Sequence, residues 1–421
     1  MHHVIIGAGP AAVSAAEHIK KLDARSEVTM LAAEEVPPYS RMAIPYYLTG
    51  NITPEGTYLR KDAKHFEKLG VTVKHARASS IDPSAKSVSI AGGDAIAYDK
   101  LLVATGATAT KPPIPGIDLE AVHNCWSLAD AHKIIEKATP GSDVVLMGAG
   151  LIGCIILESL ASRKVNLTVI EMENRMVSRM TNRVMGTMIK DWCIDKGITV
   201  MTSTKVDRID AGTDKALTVS TNNGESIHAD LVICATGVRS NTAFLEGSDI
   251  KIDMGVVVDD YMQTSVEDIY AAGDVAQGKD FSTGEYYVQA IQPTAVEHGK
   301  LAAQSMVYGN LTANPGNVNM NVLDTVGLIS TSFGMWMGVD GGDESELVDL
   351  KNYRYLNLQF KDDVLVGASS LGMTQHVGVM RGLIQTATPL GKWKDKLMEN
   401  PTRLSEAYLA GAQSQHQAKT A

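Results

Sequence analysis

The sequence predicts an α/β protein with two doubly wound, parallel-sheet units and a smaller C-terminal α+β domain. Two observations lead to this prediction. A strand, a glycine-rich turn and a helix follow one another twice, starting at Val4 and at Val144, and each copy later closes with Ala-Thr-Gly after an apolar strand. The length of 421 residues also exceeds what one hydrophobic core supports, so more than one domain is expected.

The first copy starts at the amino terminus of the chain. The β-type run from Val4 to Ile6 leads into a glycine-rich turn at residues 7–12, and a helical pattern continues to Lys21. In a Rossmann-like unit such a turn lets the backbone approach a pyrophosphate, and the helix N-terminus offers unpaired N–H groups. We therefore expect a bound dinucleotide. The candidate residues of this turn are Gly7, Gly9, Pro10, Ala11 and Ala12.

The second copy has the same parts in the same order. Its apolar strand runs from Val144 to Met147, its glycine-rich turn covers residues 148–153, and its helix continues to Ala161. One such turn is weak evidence, whereas two copies in the same context indicate two dinucleotide-binding units. The candidate residues of the second turn are Gly148, Gly150, Leu151, Ile152 and Gly153.

The acidic residue that ends the second strand of each unit indicates which ribose is bound. A carboxylate accepts hydrogen bonds from 2′- and 3′-hydroxyls but repels a 2′-phosphate. Glu171 occupies this place after the strand 167–170, which favours NADH over NADPH. In the first copy the strand 28–31 is followed by Glu34 and Glu35, either of which could hold the ribose of the other nucleotide. We favour Glu34, and a solvated loop charge is the alternative.

The closing Ala-Thr-Gly motifs add Ala104, Thr105, Gly106 and Gly237 to the candidate cofactor-binding residues. Prolines in 111–116 cannot continue a helix or a central strand, which is typical of a crossover between domains. The Asn-, Gly- and Pro-rich stretch 310–319 is typical of a linker. We therefore predict a first domain from residues 1–112 and 243–315, an inserted domain at 113–242, and a C-terminal domain at 316–421.

The C-terminal domain begins with apolar strands. Alternation from Tyr353 to Phe360, a turn at 361–363 and a further apolar run at 364–367 predict a β-hairpin. Helical segments follow to about Leu409, and the polar tail 413–421 is expected to be mobile.

Composition and charge exclude several classes of function. A net charge of −10 gives no global attraction for nucleic acid, and no apolar run is long enough for a membrane helix. The start of the chain lacks signal-peptide features, and His2 and His3 are interpreted as the lead into the first strand rather than as a metal pair. The four cysteines form no CxxC, so no local redox disulfide, metal site or iron–sulfur site is expected. A reducing, cytoplasmic setting fits this pattern best.

The two units, the paired Ala-Thr-Gly motifs and the segment 270–276 together resemble the pyridine nucleotide-disulfide oxidoreductase superfamily. The resemblance covers about residues 1–310. It implies that a discontinuous first unit binds FAD and that the inserted unit binds NADH. It also implies that Gly273 and Asp274 contact the ribityl and pyrophosphate region of the flavin, although a plain turn with a helix cap is the alternative.

Residues 34–50 are similar to the flavoprotein module of NADH-dependent nitrite reductases and of rubredoxin or ferredoxin reductases. Arg41 would then help to neutralise the FAD pyrophosphate, or it is an ordinary surface cation. Relatives that use a thiol carry cysteine at the position of Met42, so sulfenate and mixed-disulfide chemistry is excluded here. The ferredoxin-reductase branch has Lys and Glu where Tyr46 and Ile155 stand, which predicts a less polar hydride-transfer pocket. Tyr46 is either a neighbour of the flavin or a packing residue.

The resemblance implies an FAD-dependent oxidoreductase that moves electrons between NAD(H) and an iron–sulfur protein or subunit, with no catalytic side-chain acid or base. A specific form is the NADH-handling flavoprotein subunit of phenylglyoxylate dehydrogenase-type complexes. The alternatives are a stand-alone NADH oxidase or diaphorase, and an NADH-sensing binding module. The C-terminal domain is expected to mediate docking or oligomerisation. Lys392–Lys396 either contacts an acidic partner or has Trp393 packed inward with solvated lysines.

Overall fold

The computed structural model describes residues 1–411, and the polar tail 413–421 lies outside this range. The first region contains eight strands and three helices. The strands are β1 (His2–Ile6), β2 (Glu27–Ala32), β3 (Val71–His75), β4 (Ala78–Asp82), β5 (Ser87–Ile90), β6 (Ile96–Ala97), β7 (Lys100–Val103) and β8 (Ala107–Ala109). The helices are α1 (Pro10–Leu22), α2 (Ile44–Leu48) and α3 (His65–Leu69), with 3-10 turns at Arg41–Ala43 and Pro54–Thr57.

The second region repeats this organisation. Its strands are β9 (Val122–Asn124), β10 (Asp143–Met147), β11 (Asn166–Ile170), β12 (Thr199–Met201), β13 (Val206–Ala211), β14 (Leu217–Thr221), β15 (Ser226–Ala229), β16 (Leu231–Cys234) and β17 (Val238–Ser240). Its helices are α4 (Leu128–Lys137), α5 (Leu151–Ser162) and α6 (Arg183–Asp195). Helix α5 is apolar on nearly all sides because it is packed between other elements rather than lying on the surface.

The remaining region returns to the first sheet and then forms the C-terminal domain. Its strands are β18 (Val256–Val257), β19 (Ile269–Ala271), β20 (Ala276–Lys279), β21 (Tyr286–Val288), β22 (Met320–Thr325), β23 (Leu328–Gly334), β24 (Asp343–Asp349), β25 (Arg354–Lys361) and β26 (Val364–Leu371). Its helices are α7 (Gln292–Tyr308), α8 (Val377–Thr386) and α9 (Lys392–Glu399), with 3-10 turns at Ala243–Leu245, Gly273–Val275 and Pro401–Arg403.

Two all-parallel sheets correspond to the two sequence copies. The first has the order β19-β7-β1-β2-β3 and the second the order β12-β11-β10-β16-β9. Because β19 pairs with β7, the chain returns to the first sheet after the inserted region, as predicted. The antiparallel pair β8–β17 lies at the crossover between the two units. The α/β fold class is therefore confirmed, while the numerical domain boundaries stay a prediction.

The C-terminal domain is a five-stranded antiparallel sheet of order β22-β23-β26-β25-β24, with α8 and α9 packed on one face. The predicted hairpin is confirmed, since β25 and β26 pair antiparallel. The predicted linker 310–319 is not simply a solvated loop. Asn314 and Asn317 are buried, and Asn317 bonds to Glu297 and His298 of α7. These bonds attach the linker to the first domain.

Helix α1 carries the first glycine turn and packs closely on α7. A Cβ at Gly299 would lie 2.3 Å from the carbonyl oxygen of Ala11, so only glycine permits this approach. His2 opens β1, as predicted, and His3 is fully buried. Among residues 1–411, no helix combines the length and the apolar character required to cross a lipid bilayer.

Candidate functional site

A cavity of about 1110 Å³ lies where the carboxyl ends of β1, β2 and β7 meet the starts of several helices. This edge of a parallel sheet is where doubly wound folds bind their ligands. The second unit also reaches the cavity, through Ile152, Ile155 and Ile156 of α5. The predicted residues that line the cavity are Gly7, Gly9, Pro10, Ala11, Glu34, Arg41, Ala104, Thr105, Gly106, Ile152, Gly273 and Asp274.

The first glycine turn combines one tight contact with one open position. Gly7 has a φ of +126°, and a Cβ there would lie 2.1 Å from the carbonyl oxygen of Ala104. Gly9, at the start of α1, has nothing within 4 Å of its Cβ position. The turn is therefore closed against the sheet and open to the cavity, and it fits a pyrophosphate placed against the backbone N–H groups. Ala12 does not line the cavity, because this third position is fully buried.

Two further segments bring backbone and acid groups to the cavity. The 3-10 turn that follows β19 places Asp274 on the wall, and the first turn of α7 contributes Gln292 and Ala295. Burial raises the pKa of the Asp274 carboxyl, and the charge of Arg41 partly offsets this increase. A buried carboxyl of this kind is suited to accept hydrogen bonds from ligand hydroxyls, because they would replace lost water.

Arg41 and Glu34 form an ion pair at the cavity. Arg41 Nη2 lies 2.8 Å from Glu34 Oε1, and the hydroxyl of Tyr39 donates to Glu34 Oε2 at 2.8 Å. Arg41 Nη1 also donates to the backbone oxygen of Trp126 at 2.6 Å. Arg41 is therefore paired on the cavity wall, although its side chain is 37% exposed and that of Glu34 is 41% exposed. The roles of Arg41 at the pyrophosphate and of Glu34 at the ribose stay predictions.

The second glycine turn has the same design. Gly148 has a φ of +95° and a Cβ there would lie 2.6 Å from the oxygen of Ala235, whereas Gly150 has open space around its Cβ position. Glu171 follows β11 directly, and its carboxylate accepts from the backbone N–H groups of Ala149 at 2.6 Å and Glu173 at 2.7 Å. The acid is thus fixed beside the glycine turn, where the ribose argument requires it.

Several candidates do not line the main cavity. They are Tyr46, Gly148, Gly150, Leu151, Gly153, Glu171 and Gly237, together with Ala12. All but Tyr46 and Ala12 belong to the second unit, so the second nucleotide would approach the cavity from that side. Tyr46 is 59% exposed, so the structure supports neither close packing nor a place in the cavity wall for this residue. A role beside the flavin stays a prediction.

The end of the cavity nearest α5 is apolar. Met42 and Pro45 from the first unit lie on this wall with Ile152, Ile155 and Ile156 from the second. No ionisable side chain from α2 or α5 lines this end within the described residues. An apolar wall of this kind suits ring stacking with exclusion of water, and its role as the hydride-transfer pocket stays a prediction.

Sequence reasoning missed Trp126, Asn241 and Gln292. Asn241 exchanges hydrogen bonds of 2.9 Å with Thr105 and so braces the first Ala-Thr-Gly motif. A proline in the first turn of α7 was a readable signal for the helix that begins at Gln292. No local pattern could have placed Trp126 beside Arg41, because they are distant in the chain.

The cysteines are inert thiols in this structure. All four are buried, and burial raises the pKa of Cys125 and of Cys193 to about 12 and that of Cys234 to about 11. Burial also raises the pKa of Cys154. Only Cys125 lines the cavity. Nucleophilic thiolate is therefore scarce at neutral pH. Within residues 1–411, no cluster of three or more His, Cys, Asp or Glu side chains could hold a metal ion.

Two parallel-sheet nucleotide units that share a cavity, with a third domain packed beside them, define the class of two-dinucleotide flavoprotein oxidoreductases. The chain belongs to the pyridine nucleotide-disulphide oxidoreductase family, and the sequence model of this family matches residues 1–299. It is an FAD-dependent NAD(H) oxidoreductase.

Three similar proteins illustrate the range of this family. The NADH-dependent phenylglyoxylate dehydrogenase subunit epsilon of Aromatoleum evansii is 32% identical over 402 residues, which cover 95% of each chain. An NADH oxidase of Methanocaldococcus jannaschii is 30% identical over 73% of this chain and 70% of its own. The solved NAD-dependent persulfide reductase from A. fulgidus is 29% identical, with a TM-score of 0.85 over 93% of this chain and 78% of its own.

Proposed function

We propose that this chain transfers electrons between NAD(H) and an iron–sulfur protein or subunit, as the flavoprotein component of a phenylglyoxylate dehydrogenase-type complex. The observation that carries the proposal is the apolar meeting point of the two nucleotide units at Met42, Pro45 and Ile155, where no ionisable side chain of α2 or α5 lies among the described lining residues. The similar subunit from A. evansii, matched along nearly its whole length, supports the assignment to a complex.

Bound FAD supplies the hydride acceptor and the ability to release electrons one at a time. The chain's own residues would bind and orient it. The open turn at Gly9 and the cation of Arg41 suit the pyrophosphate, Glu34 suits the adenosine ribose, and Asp274 suits the ribityl hydroxyls. In the inserted unit, Gly150 and Glu171 suit the pyrophosphate and ribose of NADH.

The absence of an acid or base at the apolar end agrees with a reaction that needs none. Hydride transfer requires the two rings to be stacked at close distance with water excluded. Ile152, Ile155 and Met42 would provide the flat apolar surroundings. A partner is needed for one-electron transfer, because the sequence has no iron–sulfur motif.

The contacts of Lys394 and Lys396 do not favour the Lys392–Lys396 segment as the docking surface. Lys394 forms an ion pair of 2.6 Å with Asp343, and Lys396 lies 4.1 Å from the ring centroid of the half-buried Trp393. These lysines already have partners within the domain. Docking and oligomerisation through the C-terminal domain stay predictions, as does the cytoplasmic location.

Purification from the native host tests the proposal. The tagged chain is expected to bring down an iron–sulfur protein and to transfer electrons between NAD(H) and that partner. Gly150→Ala provides a matched control, because it should weaken the NADH-linked reaction while leaving partner capture intact. Isolation of the chain alone, combined with rapid NADH-dependent oxygen consumption, would contradict the proposal and favour an oxidase like that of M. jannaschii.

A further inference from the structure

We propose that Trp126, which belongs to the inserted unit, is a positioning residue that holds Arg41 in place for the FAD pyrophosphate. The inference rests on the proposed function, because it assumes that Arg41 meets the pyrophosphate. Both side chains line the cavity, although they come from different units and from segments far apart in the chain. Trp126 would therefore couple the seating of the inserted unit to the binding of FAD.

Hydrogen bonds and aromatic rings surround the guanidinium of Arg41. Arg41 Nη1 donates to the Trp126 oxygen at 2.6 Å and to the Tyr39 hydroxyl at 2.9 Å, and Nη2 donates to Glu34. The guanidinium carbon also lies 5.5 Å from the Trp126 ring centroid and 5.4 Å from that of Tyr39. The cation thus lies close to two aromatic rings, which are suitable surfaces for a planar guanidinium.

Arg41 keeps hydrogen-bond donors that no protein group uses among the described residues. A guanidinium has five N–H groups, and the three bonds use three of them. Within residues 1–411, Nε and one hydrogen of Nη2 have no hydrogen-bond partner. Two donors are therefore available for an anion in the cavity, and bidentate contact of this kind is the mode in which arginine binds phosphate.

Trp126 is itself fixed by hydrogen bonds. Its indole N–H donates to the backbone oxygen of Ala107 at 2.9 Å, and its backbone N–H donates to Asp130 at 3.2 Å. Ser127 and Asp130 form a capping box at the start of α4. Because Ala107 follows Gly106 of the cavity wall, the indole links the first helix of the inserted unit to the strand beside the FAD cavity.

Without the Trp126 ring, Arg41 would keep its ion pair with Glu34 and its hydrogen bond to the backbone oxygen of residue 126. The guanidinium would lose one of its two aromatic neighbours and gain rotamer freedom, which binding of FAD would have to remove. Loss of Trp126 should therefore weaken FAD binding through Arg41.

A double-mutant cycle tests the proposal. FAD is removed, and the dissociation constant for rebinding is measured by flavin fluorescence for the wild type, Trp126→Ala, Arg41→Ala and the double variant. Trp126→Ala is expected to weaken FAD binding by about tenfold, but by less than about twofold in the Arg41→Ala background, because contacting residues are not additive. Trp126→Phe, which retains a ring, should recover part of the loss.

Trp393→Ala is the matched control. Trp393 also packs against cations, Lys396 and Arg403, but it lies in α9 and does not line the cavity. Its removal should leave FAD affinity unchanged. Thermal unfolding of each apo-protein checks folding, and if Trp126→Ala does not fold, the cycle is run with Trp126→Leu, which also lacks an aromatic ring.

Equal weakening by Trp126→Ala in both backgrounds would overturn the proposal, because the ring would then act independently of Arg41. No weakening in either background would also overturn it. If Arg41→Ala itself leaves FAD affinity unchanged, the assignment of Arg41 to the pyrophosphate fails. NADH-dependent electron transfer to a partner could still occur in that case, so the two proposals fail separately.

Discussion

Glu171 is held at the second glycine turn by two backbone N–H groups, and this geometry makes nucleotide preference testable at one residue. Glu171→Arg removes the ribose acceptor and introduces a cation that attracts a 2′-phosphate. We expect the dissociation constant for NADH to rise by about tenfold or more, with a relative gain for NADPH. Binding titrations with both nucleotides measure the change.

Glu225→Arg is the control for this charge reversal, since Glu225 is exposed in the turn between β14 and β15. It should leave both affinities unchanged. An unaltered preference in the Glu171 variant would mean that the ribose lies elsewhere.

The cysteines provide a second prediction at the scale of the residue. Because burial raises their pKa values, the reactive thiolate forms only at high pH, above about 11 to 12 for Cys125, Cys193 and Cys234. At pH 8 a disulfide reagent should therefore react very slowly with the native protein and rapidly with all four thiols after denaturation. If one thiol of the native protein reacts rapidly and its modification blocks reduction of the flavin by NADH, electron transfer without a thiol is refuted.

At the scale of the element, substitutions at Gly150 and Gly153 of the second glycine turn are expected to have different effects on binding and on folding. A Cβ at Gly153 would lie 2.1 Å from the oxygen of Gly148, whereas a Cβ at Gly150 meets nothing within 4 Å. We expect Gly153→Ala to lower the free energy of unfolding by about 2 kcal/mol or more. Gly150→Ala should change it by less than about 0.5 kcal/mol yet weaken NADH binding, because the methyl group enters the pyrophosphate space.

Denaturant unfolding and NADH titration of both variants provide the measurements. A Gly150→Ala protein that binds NADH normally would show that this open space is not the pyrophosphate site.

The elements around the two turns were predictable from the sequence because they depend on local periodicity and on glycine. The helix predicted to end near Lys21 ends at Leu22, and the one predicted to end at Ala161 ends at Ser162. The placement of Glu171 followed from strand order alone. By contrast, the contacts among Arg41, Trp126 and Ala107 join segments from different units, and only tertiary packing brings them together.

At the scale of the whole molecule, the inserted unit is attached on two sides. Trp126 links it to the first unit, and Trp192 of α6 donates to the Val326 oxygen at 3.2 Å in the C-terminal domain. Arg163, at the end of α5, also donates to the Leu48 oxygen of α2 at 2.9 Å. These contacts hold α5 and α2 together at the apolar end of the cavity, which favours a fixed hydride-transfer geometry.

Anaerobic titration of the reconstituted protein with NADH, followed by the loss of flavin absorbance, shows whether the nicotinamide and the flavin exchange electrons without storage on a thiol pair. Bleaching should be complete after about one equivalent of NADH per flavin, because FAD alone accepts the two electrons. A requirement for about two equivalents, as for a flavin coupled to a redox-active thiol pair, or a flavin that NADH does not bleach, would contradict the account.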